Sequence, residues 1–296
     1  MPMSRRDLLI RSAQATGVLM AAGPGAAGAQ PSNAMPTTPA TITCFMDGKA
    51  IERDEVLSLE ARRLVHVWRK LRAHAARPPR SALNDLAVRW PMPIDGVAQW
   101  RRDLLALKLQ IGSDRLRRIL AAELALAGAT QALLVGASFG RYALSVTDVH
   151  CNQGSAEGFV QWFSARVAAN DQAAMLVAHP DHHVIETLPN GFQYVLETTG
   201  GSPFPTQFDI DYDNAAGNPT PLAAELPVRV GGVALSRGKP IGYAFHQFGD
   251  QPGGGFRGRL TVAFPKATPW FMIDGHRWHL ACEFSNWIEA YLASRG

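Results

Sequence analysis

The chain has 296 residues, of which 47% are apolar and 18% charged, the texture of a globular protein rather than of a disordered or fibrous one. Its net charge is +4, from 29 basic and 25 acidic side chains, and Arg5, Arg6 and Arg11 against Asp7 supply +2 of it. The remaining excess of about +2, with no basic run and no RNA-type aromatic motif, argues against a nucleic-acid partner.

Ser4-Arg5-Arg6-Asp7-Leu8-Leu9 carries the twin-arginine pattern. A weakly apolar stretch from Ala15 to Ala22 follows, too short to span a bilayer, and Ala27-Gly28-Ala29 offers small residues to a signal peptidase. Residues 1–29 are therefore predicted to be a twin-arginine signal, with the export machinery as a partner and a periplasmic or secreted location. No later run of about 18 apolar residues is evident, so no membrane span is expected. Cys44, Cys151 and Cys282 would permit one disulfide in that compartment, and no pair has metal spacing.

Residues 30–44 read as a linker, rich in Pro, Ser and Thr. Leu57, Ala61, Leu64 and Trp68 fall at helical spacing until Pro78-Pro79 stop the run. Asp95 is expected to cap a second helix through Trp100, Leu104 and Leu107, and Gly112-Ser113-Asp114 breaks and recaps it before Leu116–Leu126. Residues 45–128 are thus expected to be mainly helical. Beyond them, Ala132–Val135, Tyr142–Val146, Phe192–Glu197, Phe208–Tyr212, Val228–Ala234, Ile241–Phe248 and Leu260–Phe264 read as strands separated by Gly, Pro and Asp. One helix starts at Ser155, and another closes the chain from about Gly275 to Ser294. Strands in hairpin order with segregated helices predict an α+β fold over 129–296, an antiparallel sheet able to curl around the last helix and enclose a cavity.

Three local patterns bear on chemistry. His279 and Glu283, four apart, share a helix face, with His276 one turn earlier. The spacing alone leaves open a solvated pair or two ligands for one metal ion. Gly136-Ala137-Ser138-Phe139-Gly140 matches the nucleophile-elbow string of serine hydrolases, but the strand-like Tyr142–Thr147 follows where a helix is required. A glycine hairpin is the other reading of that string. His179-Pro180-Asp181-His182-His183 reads as a polar loop with metal binding open, and Gly253-Gly254-Gly255 as a hairpin turn.

Four segments taken in order resemble the family of diacetylphloroglucinol and phloretin hydrolases. They are Gly158-Phe159-Val160-Gln161-Trp162-Phe163, then His179-Pro180-Asp181-His182, then Tyr194-Val195-Leu196-Glu197 with Gly200-Gly201, and finally His279 with Glu283-Phe284, Trp287 and Tyr291. The resemblance runs from about Gly140 to the C-terminus and does not extend to 45–128. It implies a helix-grip (Bet v 1-like) domain and a hydrolase that cuts the carbon–carbon bond between an acyl group and a polyphenol ring. It further implies a zinc ion held by Glu197, His279 and Glu283, His246 moving protons, and a small aromatic or polyketide-like substrate. In this sequence Arg166 falls where the family has a metal-binding histidine, and a guanidinium does not coordinate metals. Two arrangements follow. In one, Glu197, His279 and Glu283 hold the ion, with His182 or His183 completing the set and iron or manganese as alternatives to zinc. In the other, Arg166 replaces the metal between the carboxylates and the domain is a non-catalytic carrier of small ligands. A serine esterase using Ser138 is the third reading, and a homodimer is left open.

Overall fold

The computed structural model describes residues 39–295, so the signal expected at 1–29 lies outside the described residues. The described chain runs β1 (Ile42–Met46), β2 (Lys49–Ile51), α1 (Arg53–Arg72), a 3₁₀ turn (Ala82–Asn84), α2 (Val97–Ile111), α3 (Ser113–Ile119), α4 (Ala121–Ser138) and β3 (Tyr142–Cys151). It continues through α5 (Ala156–Ala168), α6 (Gln172–Val177), β4 (His182–Thr187), β5 (Gln193–Glu197), β6 (Thr206–Asp211), β7 (Val228–Ser236), β8 (Lys239–Asp250), β9 (Phe256–Pro265) and α7 (Trp270–Ala293). The fold is α+β: one nine-stranded antiparallel sheet, ordered β2-β1-β3-β9-β8-β7-β6-β5-β4, with seven α-helices among the described residues.

Two cores meet at the β4–β5 end of the sheet. On one face, α7 is buried on nearly every side from His276 to Tyr291. It packs with Phe159 of α5, Phe248 of β8 and Phe256 of β9 in a continuous aromatic cluster. The buried hydroxyls of Ser145 and Thr147 on β3 donate to the α7 carbonyls of Ile273 and Arg277, at 3.0 and 2.9 Å, so the helix is tied to the sheet as well as packed on it. On the other face, Leu64 and Trp68 of α1 and Leu104 and Leu107 of α2 enclose Val184 and Leu196. Strand alternation explains the division: Val195 faces the α7 core while Leu196 faces the helices.

Several expectations are corrected. Residues 42–51 form a hairpin paired to β3, although the sequence pattern read them as linker and helix. Ala132–Val135 is not a strand but part of α4, where Ala and Leu neighbours of high helix propensity outweigh one β-branched valine. The helix runs unbroken through Gly128 for 18 residues. It is long and apolar enough to cross a membrane by those two measures, a stretch the sequence pattern did not register. The three cysteines are buried, unpaired thiols.

Candidate metal centre

Glu197 is the last residue of β5, and its register partner on β4 is His182. The ladder shifts between His182 and Val184, a bulge that lets His182 stand on the inner face opposite Glu197 while His183 turns outward. There His183 Nε2 meets the Thr198 hydroxyl at 3.1 Å. The His179–His183 segment is therefore no polar loop: His179, His182 and His183 are all buried, and His182 opens a strand. Close backbone approach brings α7 to the same place. A Cβ on Gly200 would sit 2.2 Å from the Gly275 carbonyl oxygen, so only glycine lets the chain beyond β5 lie against the first turns of α7.

These elements bring four side chains together across 101 positions of sequence, from His182 to Glu283. His182 Nε2 lies 3.1 Å from Glu283 Oε2, 3.2 Å from His279 Nε2 and 3.7 Å from Glu197 Oε2. His279 Nε2 lies 3.7 Å from Glu283 Oε2 and 3.8 Å from Glu197 Oε2. His179 stacks on His279 with ring centres 3.7 Å apart, and the buried cluster of His179, His182 and His279, its ligand atoms within 4.8 Å of one another, could hold a metal ion.

Electrostatics point the same way. Burial pushes the Glu197 carboxyl up to about 7, with Glu283 adding to the rise, and burial pushes Glu283 well above the ordinary range. Burial also lowers His182 and, strongly, His279. Two desolvated acids facing two neutral imidazoles, with no lysine or arginine paired to either acid among the described residues, form a donor set chemically suited to a divalent cation. The tautomers decide which histidines can contribute. The Met175 carbonyl accepts from His182 Nδ1 at 3.0 Å, so the proton sits there and the Nε2 lone pair aims at the cluster. His179 Nδ1 instead accepts the Asp181 N–H at 3.1 Å, which leaves the proton on its Nε2. His179 thus serves the cluster best as a stacking partner, even though its ring is near enough to bind.

The helical layer holds this segment from behind. Lys108 is buried, and its Nζ donates to the carbonyls of Pro180 at 2.8 Å and His182 at 2.5 Å. Arg63 grips Asp181 bidentately at 2.7 and 2.8 Å. Neither cation was singled out by the sequence, because each acts through a turn more than 70 positions away.

The four-residue site opens into a cavity of about 360 Å³ between the sheet and α7, walled by aromatic and aliphatic side chains with His182, Glu197, His246, His276 and Glu283 on its surface. His246 stands on β8, the late strand expected for it, and lines the cavity. The β8–β9 ladder is interrupted between Ala244↔Val262 and Gln247↔Arg259, and there the Thr261 N–H is donated to His246 Nδ1 at 3.2 Å. Neutral His246 therefore carries its proton on Nε2, and burial holds it down to about 3. Tyr212, also on the wall, donates to Gln193 Oε1 at 2.7 Å, and its phenol is pushed above its usual range by burial and by Glu283.

Two alternatives are corrected. Arg166 does not replace a metal: it sits in the last turn of α5, 41% exposed, and pairs with Asp171 at 3.3 Å rather than with Glu197 or Glu283. Ser138 is not at a strand-to-helix elbow. It ends α4, where Phe139 takes a left-handed conformation, and its buried hydroxyl donates to Leu134 O at 2.6 Å and accepts from Ala267 N at 2.9 Å. With no base beside it among the described residues, that hydroxyl is a structural cap rather than a nucleophile.

Comparison of the chain with protein-family models, with curated proteins and with solved structures finds no match.

Proposed function

We propose that this protein is a metal-dependent hydrolase of helix-grip architecture, with His182, Glu197, His279 and Glu283 as the metal ligands. The observation that carries the reading is the convergence of two imidazole nitrogens and two carboxylates at 3.1 to 3.8 Å on the wall of an apolar cavity. Ligand atoms in a tetrahedral zinc site stand about 3.3 Å apart, given bonds of about 2.0–2.1 Å, and the set brackets that value. Two carboxylates in the set keep iron and manganese as alternatives. The architecture is supported by strand order: β3 and β9 to β4 form a continuous antiparallel run beside the long α7, with two short helices inserted after β3.

The proposed substrate is an acylated phenol or similar aromatic ketone, and the bond cut is the one joining acyl group and ring. The resemblance of the four segments supports this, as does a cavity lined by Phe208, Phe264, Phe284 and Trp287. A metal ion bound there would supply Lewis acidity to the acyl carbonyl or to water. The chain's own residues do the rest. His246 offers Nε2–H as a hydrogen-bond donor to the substrate oxygen, and burial keeps its ring neutral while it does so. The aromatic walls exclude bulk water, and Tyr212 with Gln193 adds a polar pair able to orient a phenolic hydroxyl. The twin-arginine pattern supports export of the folded protein, which suits a site assembled from distant strands and a helix.

Elemental analysis of purified protein, with turnover of acyl-phenols before and after chelation, tests the reading. Stoichiometric metal and metal-dependent release of the carboxylic acid are expected. Metal-free, well-folded protein would overturn it, and bound metal without turnover of any acyl-phenol would make the domain a carrier.

A further inference from the structure

Helix α4 is the least buried long element among the described residues: of its 18 residues only Ser138 is buried. Its exposed positions are Ala121, Ala122, Ala125, Leu126, Ala129, Thr130, Ala132, Leu133, Gly136 and Ala137, with no charge among them. Leu126 and Leu133 are 51% and 74% exposed. The helix spans about 27 Å at 1.5 Å per residue. Its C-terminal end continues the apolar surface. Ser138 Oγ accepts the Ala267 N–H, and Lys266 N donates to Arg141 O, which brings exposed Phe139 beside the β9–α7 connection. There Trp270 stands 78% exposed with its ring against Phe271.

Basic side chains stand at both ends of this surface. Arg115 and Arg118 precede α4, and Arg141 and Lys266 follow it, all four exposed. Three acids nearby are already paired: Asp114 with Arg117, Glu123 with Lys70 and Asp274 with Arg277. The four basic groups are left without a carboxylate partner among the described residues. A second copy of the chain laid antiparallel on α4 would bring arginine to face arginine at both ends. A bilayer surface with anionic headgroups meets the same pattern favourably, taking the apolar face at its acyl boundary and the cations at its phosphates.

We infer that α4, Phe139 and Trp270 form a surface that docks this protein on an anionic membrane, α4 lying in the interface rather than spanning it. Both ends of α4 are fastened to the body, by Lys70 to Glu123 at 2.5 Å and by the Ser138 hydrogen bonds, so the helix lies flat on the protein. The inner face of the same helix, at Ala127, Gln131 and Leu134, lines the mouth of the cavity. Docking therefore sets the cavity mouth against the acyl region, a direct entry for an apolar molecule dissolved in the bilayer. The inference stands apart from the metal reading, since none of these residues belongs to the proposed ligand set.

Cosedimentation of the full chain with vesicles of phosphatidylglycerol and phosphatidylcholine, 1:1, tests it, with pure phosphatidylcholine alongside. Binding to the anionic vesicles is expected, weaker on the neutral ones. The double variant Leu126→Glu, Leu133→Glu is expected to lower the partition at least tenfold, and Arg141→Ala or Lys266→Ala about fivefold each. All four positions are exposed, so thermal melts should match the wild type. Quenching by brominated lipid should fall in Trp270→Phe. Equal binding by wild type and the double variant would overturn the inference, as would the absence of vesicle binding. So would a double variant that turns a dimer into a monomer with vesicle binding unchanged, since the surface would then be covered by a second copy.

Discussion

Replacing Lys108 by methionine removes the ammonium that links the helical layer to the His179–His183 segment while keeping the length of the side chain. The Nζ donates to two buried carbonyls, those of Pro180 and His182. Each carbonyl left without a partner costs roughly 1–3 kcal/mol. Relief from burying a cationic group offsets part of this, since burial already holds Lys108 down to about 7. A net loss of about 2 kcal/mol is expected, read as a lower guanidinium midpoint at unchanged slope in protein stripped by chelator. The second readout is metal affinity. His182 then keeps its Met175 hydrogen bond but loses the anchor on its own carbonyl, and a weakening of about 10- to 100-fold is expected, as for other residues that orient ligands. Competition with a chromophoric chelator measures it. Unchanged affinity beside a lowered midpoint would refute the positioning argument, since the helical layer would then only stabilise the fold. Wild-type protein that binds no metal would instead refute the metal reading itself.

Phe159→Ala empties the centre of the aromatic cluster formed with Phe248, Phe256, Phe284 and Tyr291, and should cost about 3–5 kcal/mol in denaturant unfolding. Ser138→Ala should leave any hydrolytic turnover intact and cost about 1–2 kcal/mol, because the Ala267 N–H loses its acceptor; abolished turnover with an intact fold would restore the esterase reading. His246 stays neutral in the fold down to about 3, while in the unfolded chain it takes a proton near 6.5. Its contribution is therefore complete above pH 6.5 and is lost as pH falls toward 3, at about 1.4 kcal/mol per pH unit. His246→Gln should flatten the stability profile over that window, and a slope equal to wild type would contradict the buried, neutral assignment. Gly200→Ala should weaken both metal affinity and stability, because its Cβ would press on the Gly275 carbonyl and push α7 from β5; full retention of both would show that the approach is not required.

How much of this was legible in the sequence varies with the distance over which each feature is decided. The helix pair His279 and Glu283 is a local fact: a spacing of four puts both on one face wherever the helix goes. Glu197 was marked only by the resemblance of Tyr194–Glu197 and the glycines after it to a family strand, and those glycines prove to be where the backbone closes on α7. His246 was placed on a strand and is found there, at the cavity wall. Strands β5 to β9 and helices α1, α5 and α7 were visible as periodicity, because alternation and helical spacing are properties of short windows.

What the tertiary structure alone decided is partnership. His182 sat in a segment of histidines, proline and aspartate that reads as a polar loop, and local composition carries no sign that Lys108, Arg63 and the Met175 carbonyl will satisfy its polar groups in the interior. A bulge in β4 then selects His182 over His183 for the inner face, since a single inserted residue inverts which side chains point inward. The family resemblance left open a place for Arg166 between the carboxylates, yet the turn after α5 supplies Asp171 and takes it to the surface. The chain determined the donor types and the helices and strands that carry them. Only packing determined which donors meet, because burial, register and the approach of α7 to β5 depend on residues up to about a hundred positions apart.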